Sequence, residues 1–342
     1  MSNKISVALC TYNGEKYIKE QLESILNQTR RPNEIIISDD NSSDNTITKI
    51  KEVLNRANIE WALNVNSENI GVTKNFEKAI NLCTGDLIFT CDQDDVWIRN
   101  KIEKIESVFA LNLNCNLIFT DAELVDSQLK SMNSSLWKTI GFSNHLLNKM
   151  NSVNLLDILL KKNIITGATM AFKKELSKKI MPMSGNWIHD YWIGIIASIN
   201  GQVIGIPDRL LLYRQHENNL LGVKKIGLFG KIKKYFINFN FDLLQELRES
   251  RFNMIDDLLK QIRGKNQKIS DEHLFTIIEY YKFWNRQVEL KNKRNLYGVR
   301  LIMTDMFNGC YRKYYSGSRG VFRDIIGCIK NTAIRSPRCE KP

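Results

Sequence analysis

The spacing of apolar residues changes repeatedly along the first two thirds of the chain. Short apolar runs predict buried strands, and they lie at residues 5–10, 34–38, 61–65, 87–90, 117–121 and 208–212. Between them, apolar residues recur on one helical face, which predicts helices at residues 15–28, 45–55, 73–82 and 192–199. Strands that alternate with helices through short connections indicate βαβ units and a mostly parallel sheet.

The last third of the chain has a different pattern, because strand-like runs stop near residue 224. Apolar residues there recur at helical spacing, which predicts long amphipathic helices at residues 240–263, 270–291 and 296–308. Proline is absent from 208 to 336, and this absence suits long uninterrupted helices. The sequence therefore predicts an α/β part followed by an α-helical part.

The net charge of +12 is concentrated in the same last third. Residues 1–223 carry 24 Lys and Arg against 25 Asp and Glu, whereas residues 224–342 carry 25 against 12. A shift of this size indicates a change of role, so we expect one domain at 1–223 and a basic helical region at 224–342.

Basic and aromatic residues are interleaved within that region, at residues 226–236 and 291–335. Helices of this composition suit an anionic membrane surface. The phosphates of a nucleic acid would satisfy the same charges, and so would plain solvent around a helical bundle. Composition alone leaves these three interpretations open.

The cysteine spacing and the distribution of apolar residues limit the cellular compartments in which the protein can be expected. Seven cysteines are present without a C-x-x-C spacing, which argues against a zinc site or a disulfide framework. No run of about 18 apolar residues appears, and the start of the chain passes into a strand pattern without a signal-peptide apolar region. We therefore expect reduced thiols and a cytoplasmic protein.

Polar residues follow three of the predicted strands, at residues 11–13, 39–44 and 92–95. Ligands of open α/β sheets sit outside the carboxyl ends of the strands, where such residues converge. This convergence predicts a binding site at one edge of the sheet.

The most acidic of these clusters holds Asp92, Asp94 and Asp95 directly after a buried strand. Carboxylates this close repel one another unless a positive charge lies among them, and carboxylate oxygens suit magnesium or manganese. Magnesium is usually held by one or two carboxylates together with substrate phosphates. The alternative is an acidic turn that begins the next helix, with Asp95 as a favourable N-terminal charge.

Motifs in matching order give the chain a family resemblance over roughly residues 4–222. It resembles the nucleotide-sugar-binding domain of family 2 glycosyltransferases, which have the GT-A fold, through Thr11-Tyr12-Asn13-Gly14, residues 38–44, Asn69-Ile70-Gly71 and residues 92–97. Within that family, residues 166–172, 189–192 and 213–219 are similar to those of bacterial rhamnosyltransferases. The resemblance implies a nucleotide-sugar half at about 1–120 and an acceptor half at about 121–223.

The resemblance also implies roles for residues on the nucleotide side. Asp40 is expected to accept the ring N–H of a pyrimidine base, although an Asx turn or a helix cap is the plainer alternative. Thr11 and Tyr12 are expected to pack on the nucleoside. Asn69 and Gly71 are expected to line the nucleotide, unless Gly71 is only a turn glycine.

The metal and diphosphate residues follow from the same resemblance. Asp92 and Asp94 match the D-x-D motif, which implies a Mg²⁺ or Mn²⁺ ion that bridges the two donor phosphates. Asp95 is expected to orient a neighbour or the sugar. Arg214 suits the diphosphate, and His216 is expected to complete the metal shell.

The acceptor side is expected to contain the catalytic base. Asp190 matches the position of the family's base, although it could simply cap the helix that follows. Many relatives carry Glu in place of His189, so the role of that residue is open. Thr166, Gly167, His189 and Trp192 are expected to contact the acceptor. Direct displacement with one base predicts inversion at the anomeric carbon.

The sequence thus predicts a non-processive transferase, because the Gln-x-x-Arg-Trp motif of processive members is missing after Asp190. The expected donor is dTDP-rhamnose first and a UDP-sugar second, and the expected acceptor is a lipid-linked surface polysaccharide. Residues 224–342 would then hold the protein on the inner face of the membrane. No nucleic acid is expected as a partner. The alternative is a protein that is not an enzyme: a non-catalytic scaffold in a membrane-associated glycan assembly complex.

Overall fold

A computed structural model describes residues 3–150, 155–217, 241–265, 268–290, 296–315, 317–318, 320–322 and 324–325. The chain divides into two compact units, residues 1–224 and residues 225–342. Three sequence motifs named above extend beyond the described residues: 226–236 entirely, and 213–219 and 291–335 in part.

One sheet of nine strands organises the described part of the first unit. The strands are β1 (Ile5–Thr11), β2 (Glu34–Asp39), β3 (Glu60–Val65), β4 (Leu87–Cys91), β5 (Val96–Trp97), β6 (Cys115–Val125), β7 (Ser131–Ser135), β8 (Met170–Lys173) and β9 (Gln202–Arg214). Their order is β3-β2-β1-β4-β8-β6-β9-β5, and β7 pairs with β6.

The direction of the strands changes at the middle of the sheet. β1, β2, β3 and β4 are parallel to one another, as alternating strands and helices predict. β8 is antiparallel to both β4 and β6, and it joins this parallel half to β6 and β9. Because Thr11 is paired with Asp39 and Leu9 with Cys91, the carboxyl ends of β1, β2 and β4 meet at one edge.

Helices cover the sheet of the first unit. They are α1 (Ile18–Leu26), α2 (Thr46–Leu54), α3 (Val72–Leu82), α4 (Lys101–Leu111), α5 (Leu136–Ile140), α6 (Asn144–Lys149), α7 (Leu155–Lys161), α8 (Lys174–Ile180) and α9 (His189–Asn200), with a 3₁₀ turn at Gly167–Thr169. In α1 the apolar face of Ile18, Leu22 and Ile25 is fully buried, which is the burial that its sequence spacing predicts.

The second unit is helical in its described part. Its helices are α10 (Phe241–Gly264), α11 (Asp271–Glu289), α12 (Leu296–Phe307) and α13 (Cys310–Tyr314). The side chain of Ser270 caps α11 by accepting the backbone N–H of His273 at 3.2 Å. Across the described residues, no helix combines the length and the apolar character that a bilayer span requires.

Aromatic packing and one buried ion pair hold these helices together. Phe283 packs against the edge of Tyr311, with the ring centroids 5.6 Å apart. The phenol of Tyr311 donates to the carboxylate of Asp324 at 2.6 Å, and Arg248 lies 2.9 Å from the same carboxylate. Since Arg248 and Asp324 are both buried, this pair fixes α10 within the unit.

Candidate active site

A cavity of about 360 Å³ lies at the edge where β1, β2 and β4 end. Its size is within the range of small-molecule sites. The structure brings together in its wall most of the residues that the sequence singles out: Thr11, Tyr12, Asp40, Asn69, Gly71, Asp92, Asp94, Thr166, Gly167, His189 and Asp190. Trp192, Asp95, Arg214 and His216 are outside this lining.

The two carboxylates at the end of β2 have different surroundings. Asp39 is fully buried and accepts the hydroxyl of Thr11 at 2.6 Å, so it serves the turn itself. Asp40 lines the cavity and accepts backbone N–H groups of Ile70 at 2.8 Å and Gly71 at 2.9 Å. The helix-capping alternative for Asp40 fails, because Asp44 accepts the N–H of Thr46 at the start of α2.

A reciprocal pair of hydrogen bonds joins the β1 loop to the acidic loop. The amide of Gln93 donates to the carbonyl of Tyr12 at 3.0 Å and accepts the N–H of Tyr12 at 2.8 Å. A Cβ on Gly14 would lie 2.2 Å from the Gln93 Oε1, so only glycine permits this approach. Sequence reading missed Gln93, because a polar residue between two aspartates has no periodic or chemical signal of its own.

The acidic loop after β4 holds carboxylates under strong mutual repulsion. Burial raises the pKa of Asp92 to about 7, and the charges of Asp94 and Asp190 add to this rise. The Asp94 Oδ2 lies 2.8 Å from the Nε2 of His216, whose ring stacks on Tyr17. The structure therefore places the imidazole of His216 beside Asp94 of the D-x-D motif. Asp94 is one of the two carboxylates with which His216 is predicted to bind the metal.

The placement of Arg214 contradicts its predicted role in binding the diphosphate. Arg214 is 1% exposed, and its side chain donates to the carbonyl of Asp94 at 2.7 Å and to the carboxylate of Glu20. Its own backbone N–H donates to Asp95 at 2.9 Å. Arg214 thus stabilises the acidic loop from the buried side, because its guanidinium donates hydrogen bonds to the carbonyl and carboxylate oxygens around it.

Asp95 also lies behind the cavity, and its predicted contact with the donor is not supported by its position. It is 1% exposed, and burial raises its pKa well above the usual range of an aspartate. Its Oδ2 has no hydrogen-bond partner among the described residues. The predicted alternative, that Asp95 orients a neighbour, agrees with its hydrogen bond to Arg214.

Asp190 lies in the first turn of α9 and faces the cavity. Asn163 donates to its Oδ1 at 2.9 Å, and the backbone N–H of Gly167 donates to its Oδ2 at 3.1 Å. Burial raises the pKa of Asp190 to about 6, although these hydrogen bonds oppose the rise. The carboxylate is therefore ionised at neutral pH, but it is more basic than an ordinary aspartate.

His189 is a buried neutral side chain beside Asp190. Its ring stacks on Phe76 with the centroids 3.8 Å apart, and burial lowers its pKa to about 3. A Cβ on Gly167 would lie 2.4 Å from its Nε2, so the glycine is required for this packing. Neither ring nitrogen has a hydrogen-bond partner among the described residues.

Trp192 does not occupy the predicted acceptor-binding position. It is 1% exposed, and its indole N–H donates to the carbonyl of Ile180 at 2.7 Å. The residue follows Asp190 by two positions on α9, and the helix turns its ring into the core. A helical rotation of about 100° per residue explains why neighbours in the motif serve different surfaces.

A divalent cation fits the chemistry of the acidic loop. Across the described residues, no group of three Asp, Glu, His or Cys side chains is arranged to hold a metal ion by itself. Asp94 and His216 nevertheless meet at 2.8 Å, and Asp92 lines the same cavity. The two carboxylates suit manganese or magnesium when the donor's phosphates supply the remaining oxygens.

Comparison with known proteins identifies the class. Residues 6–181 match glycosyl transferase family 2, and the chain belongs to this family. Over 312 residues it is 28% identical to the dTDP-rhamnosyl transferase RfbG of Shigella flexneri, covering 87% of this chain and 100% of the relative. It is 26% identical to an Escherichia coli relative, UDP-Glc:alpha-D-GlcNAc-diphosphoundecaprenol beta-1,3-glucosyltransferase WfgD, over 75% of this chain and 92% of the relative.

Solved structures confirm the predicted GT-A fold. TarS residues 1–349 from S. aureus, in complex with UDP-GlcNAc, match with a TM-score of 0.58 and 16% identity over 98% of this chain and 93% of that one. The mannosyltransferase PcManGT from Pyrobaculum calidifontis, in complex with GDP-Man and Mn²⁺, matches with a TM-score of 0.52 and 16% identity, over 98% and 89%. This chain covers 42% of a longer TarS structure.

The raised pKa of Asp92 predicts how stability depends on pH without metal. The folded state holds this proton until about pH 7, whereas an unfolded aspartate releases it near pH 4. Stability is therefore greatest below about pH 4 for this group and is lost as the pH rises to 7. We expect Asp92→Asn to raise the free energy of unfolding at pH 7.5 by about 1–2 kcal/mol.

Urea unfolding in EDTA at pH 5.0 and pH 7.5 measures this effect. The control is Glu52→Gln, which changes an exposed carboxylate on α2 and should leave the pH dependence as in the wild type. A destabilised Asp92→Asn variant at pH 7.5 would contradict the account of a repelled carboxylate.

The contact between Gly14 and Gln93 predicts a second, coupled effect. Gly14→Ala forces Gln93 away from Tyr12 and removes two hydrogen bonds, which are worth about 1 kcal/mol each. We expect Gly14→Ala to weaken nucleotide binding several-fold in calorimetry, and Gln93→Ala to do the same.

The double variant should then bind no more weakly than either single variant, because both lose the same contact. Gly185→Ala is the matched control, since a Cβ there would meet nothing within 4 Å. Additive losses in the double variant would refute the shared contact.

Proposed function

We propose that the protein is an inverting, metal-dependent, non-processive transferase that moves rhamnose from dTDP-rhamnose to a hydroxyl of a lipid-linked surface glycan. One observation carries the proposal: Asp40, the Asp92–Asp94 pair and Asp190 line one cavity of about 360 Å³. A base-binding carboxylate, a metal-binding pair and a general base are the groups that this reaction needs.

The nucleoside end of the site is built around Asp40. Three donors hold its carboxylate, the backbone N–H groups of Ile70 and Gly71 and the amide of Asn66 at 3.0 Å. A carboxylate oxygen is a hydrogen-bond acceptor, which suits the imide N–H of thymine or uracil. Thr11 and Tyr12 then flank the nucleoside, and Asn69 and Gly71 complete this end.

The diphosphate end belongs to the acidic loop. Asp92 and Asp94, with His216 beside Asp94, would hold Mg²⁺ or Mn²⁺. Such an ion, when bound, neutralises the diphosphate and so stabilises the leaving nucleoside diphosphate. Arg214 acts indirectly, because its hydrogen bond to the Asp94 carbonyl fixes the loop that presents these carboxylates.

Asp190 acts as the general base. The acceptor oxygen forms a bond to the anomeric carbon, and the bond from that carbon to the diphosphate oxygen breaks with its electron pair on the leaving group. The acceptor proton passes to Asp190, whose pKa of about 6 suits a base that works at neutral pH. A single displacement inverts the configuration at the anomeric carbon.

Two relatives support the choice of substrates. RfbG is named for dTDP-rhamnosyl transfer and aligns over its whole length, which favours dTDP-rhamnose as donor. WfgD is named for a diphosphoundecaprenol-linked acceptor, which favours a lipid-linked glycan here. A UDP-sugar is the second candidate donor, because WfgD and the TarS complex are both described with UDP-sugars.

We further propose that residues 1–223 form the catalytic domain, with the nucleotide-sugar half at about 1–120 and the acceptor half at about 121–223. The basic region, residues 224–342, would meet the anionic inner face of the membrane, where a lipid-linked acceptor lies. Its 25 Lys and Arg against 12 Asp and Glu supply the attraction. No nucleic acid is part of this function.

Asp190→Asn gives the sharpest test of the chemistry. The amide keeps the shape of the side chain and cannot accept the acceptor proton, so we expect kcat to fall by about 10²–10⁴-fold. Binding of dTDP in the presence of Mn²⁺ should stay within about threefold of the wild type, because Asp190 is not a nucleotide ligand. Asp94→Ala should instead abolish turnover together with metal-dependent binding.

Sugar transfer to lipid-linked acceptor, followed by mass spectrometry, measures these effects with dTDP-rhamnose and UDP-sugars in parallel. Asp157→Asn, on α7, is the matched control and should transfer at the wild-type rate. Transfer by Asp190→Asn at the wild-type rate would remove Asp190 from the role of base.

A further inference from the structure

A fully buried lysine lies behind the acidic loop. Lys101 begins α4, and its side chain is 0% exposed, which is rare for a lysine without a strong reason. Its ammonium lies 4.1 Å from the centre of the Trp97 ring and donates to the carbonyl of Ala168 at 2.6 Å. Burial lowers its pKa to about 8, while the charges of Cys91, Asp95 and Asp92 oppose that fall.

The carbonyl that Lys101 holds belongs to the turn that supports the base. Ala168 lies in the 3₁₀ turn Gly167–Thr169. In the same turn, the carbonyl of Gly167 accepts the hydroxyl of Thr90 at 2.6 Å, and the N–H of Gly167 donates to Asp190 at 3.1 Å. The turn is thus fixed from β4 and α4 on one side, and it fixes Asp190 on the other.

We propose that Lys101 is a positioning residue that joins the metal-binding loop to the catalytic base, an inference that rests on the proposed function. Its positive charge offsets part of the repulsion among the carboxylates, and its hydrogen bond to Ala168 holds the turn in place. The same charge opposes a cation at Asp92 and Asp94. Lys101 therefore weakens the affinity of the acidic loop for the metal ion, and it keeps Asp190 in its position.

Two variants separate the charge of Lys101 from its effect on the turn. Lys101→Met removes both the charge and the hydrogen bond, whereas Thr90→Val removes only the other hydrogen bond to the turn. Both variants should lower kcat about tenfold, because Asp190 loses its alignment with the acceptor. The KM for the donor should change little, because the contacts of the donor are kept. Only Lys101→Met should tighten Mn²⁺ binding, by about three- to tenfold.

Titration of Mn²⁺ by calorimetry in the presence of dTDP gives a readout that is independent of turnover. Lys104→Met is the matched control, because Lys104 is on the same helix, partly exposed and paired with Asp208 at 3.1 Å. It should keep the wild-type kcat and the wild-type Mn²⁺ affinity.

The inference is overturned if Lys101→Met transfers sugar at the wild-type rate, or if its Mn²⁺ affinity is unchanged or weaker. Should Lys101→Met not fold, Thr90→Val decides the role of the turn, and a wild-type kcat in that variant overturns the proposal. A wild-type protein that transfers no sugar from any donor would instead defeat the proposed function, whatever the variants bind.

Discussion

Repulsion among carboxylates is the constraint around which this protein is built. Asp92, Asp94 and Asp95 follow one buried strand, and the charge of Asp190, in the wall of the same cavity, acts on Asp92. Negative charges this close are stable only with counter-charges and donors in fixed positions. Lys101 supplies a counter-charge from inside the fold, and Arg214 supplies hydrogen-bond donors to Asp95 and to the backbone of the acidic loop.

The fold explains how Arg214 and Lys101 reach the acidic loop. Arg214 ends β9 and Lys101 begins α4, and β5, the short strand between the acidic loop and α4, pairs with β9. Because Lys101 and Arg214 are buried, the cavity side of Asp92 and Asp94 stays open. A loop with a counter-charge only on its buried side remains able to bind a cation from the cavity side.

Local patterns predict much of the fold and the chemistry, and long-range contacts account for the rest. β1, β2 and β4 are predicted by apolar runs, but β5 and the polar β7 are strands only through pairing with β9 and β6. Asp40 and Asp190 were singled out by motif, and both face the cavity. Arg214 and Trp192 are buried and lie outside the cavity lining, so their positions do not support the predicted contacts with the diphosphate and the acceptor. The sequence alone does not reveal which side of a helix or strand is buried.

The central claim is that the acidic loop binds a nucleotide diphosphate through a divalent cation. Calorimetric titration of dTDP, UDP and GDP, first with Mn²⁺ and then with EDTA, tests it most directly. The account predicts that dTDP or UDP binds with Mn²⁺, that EDTA removes this binding and that GDP binds more weakly. Folded protein that binds none of these nucleotides, or binds them equally in EDTA, would contradict it.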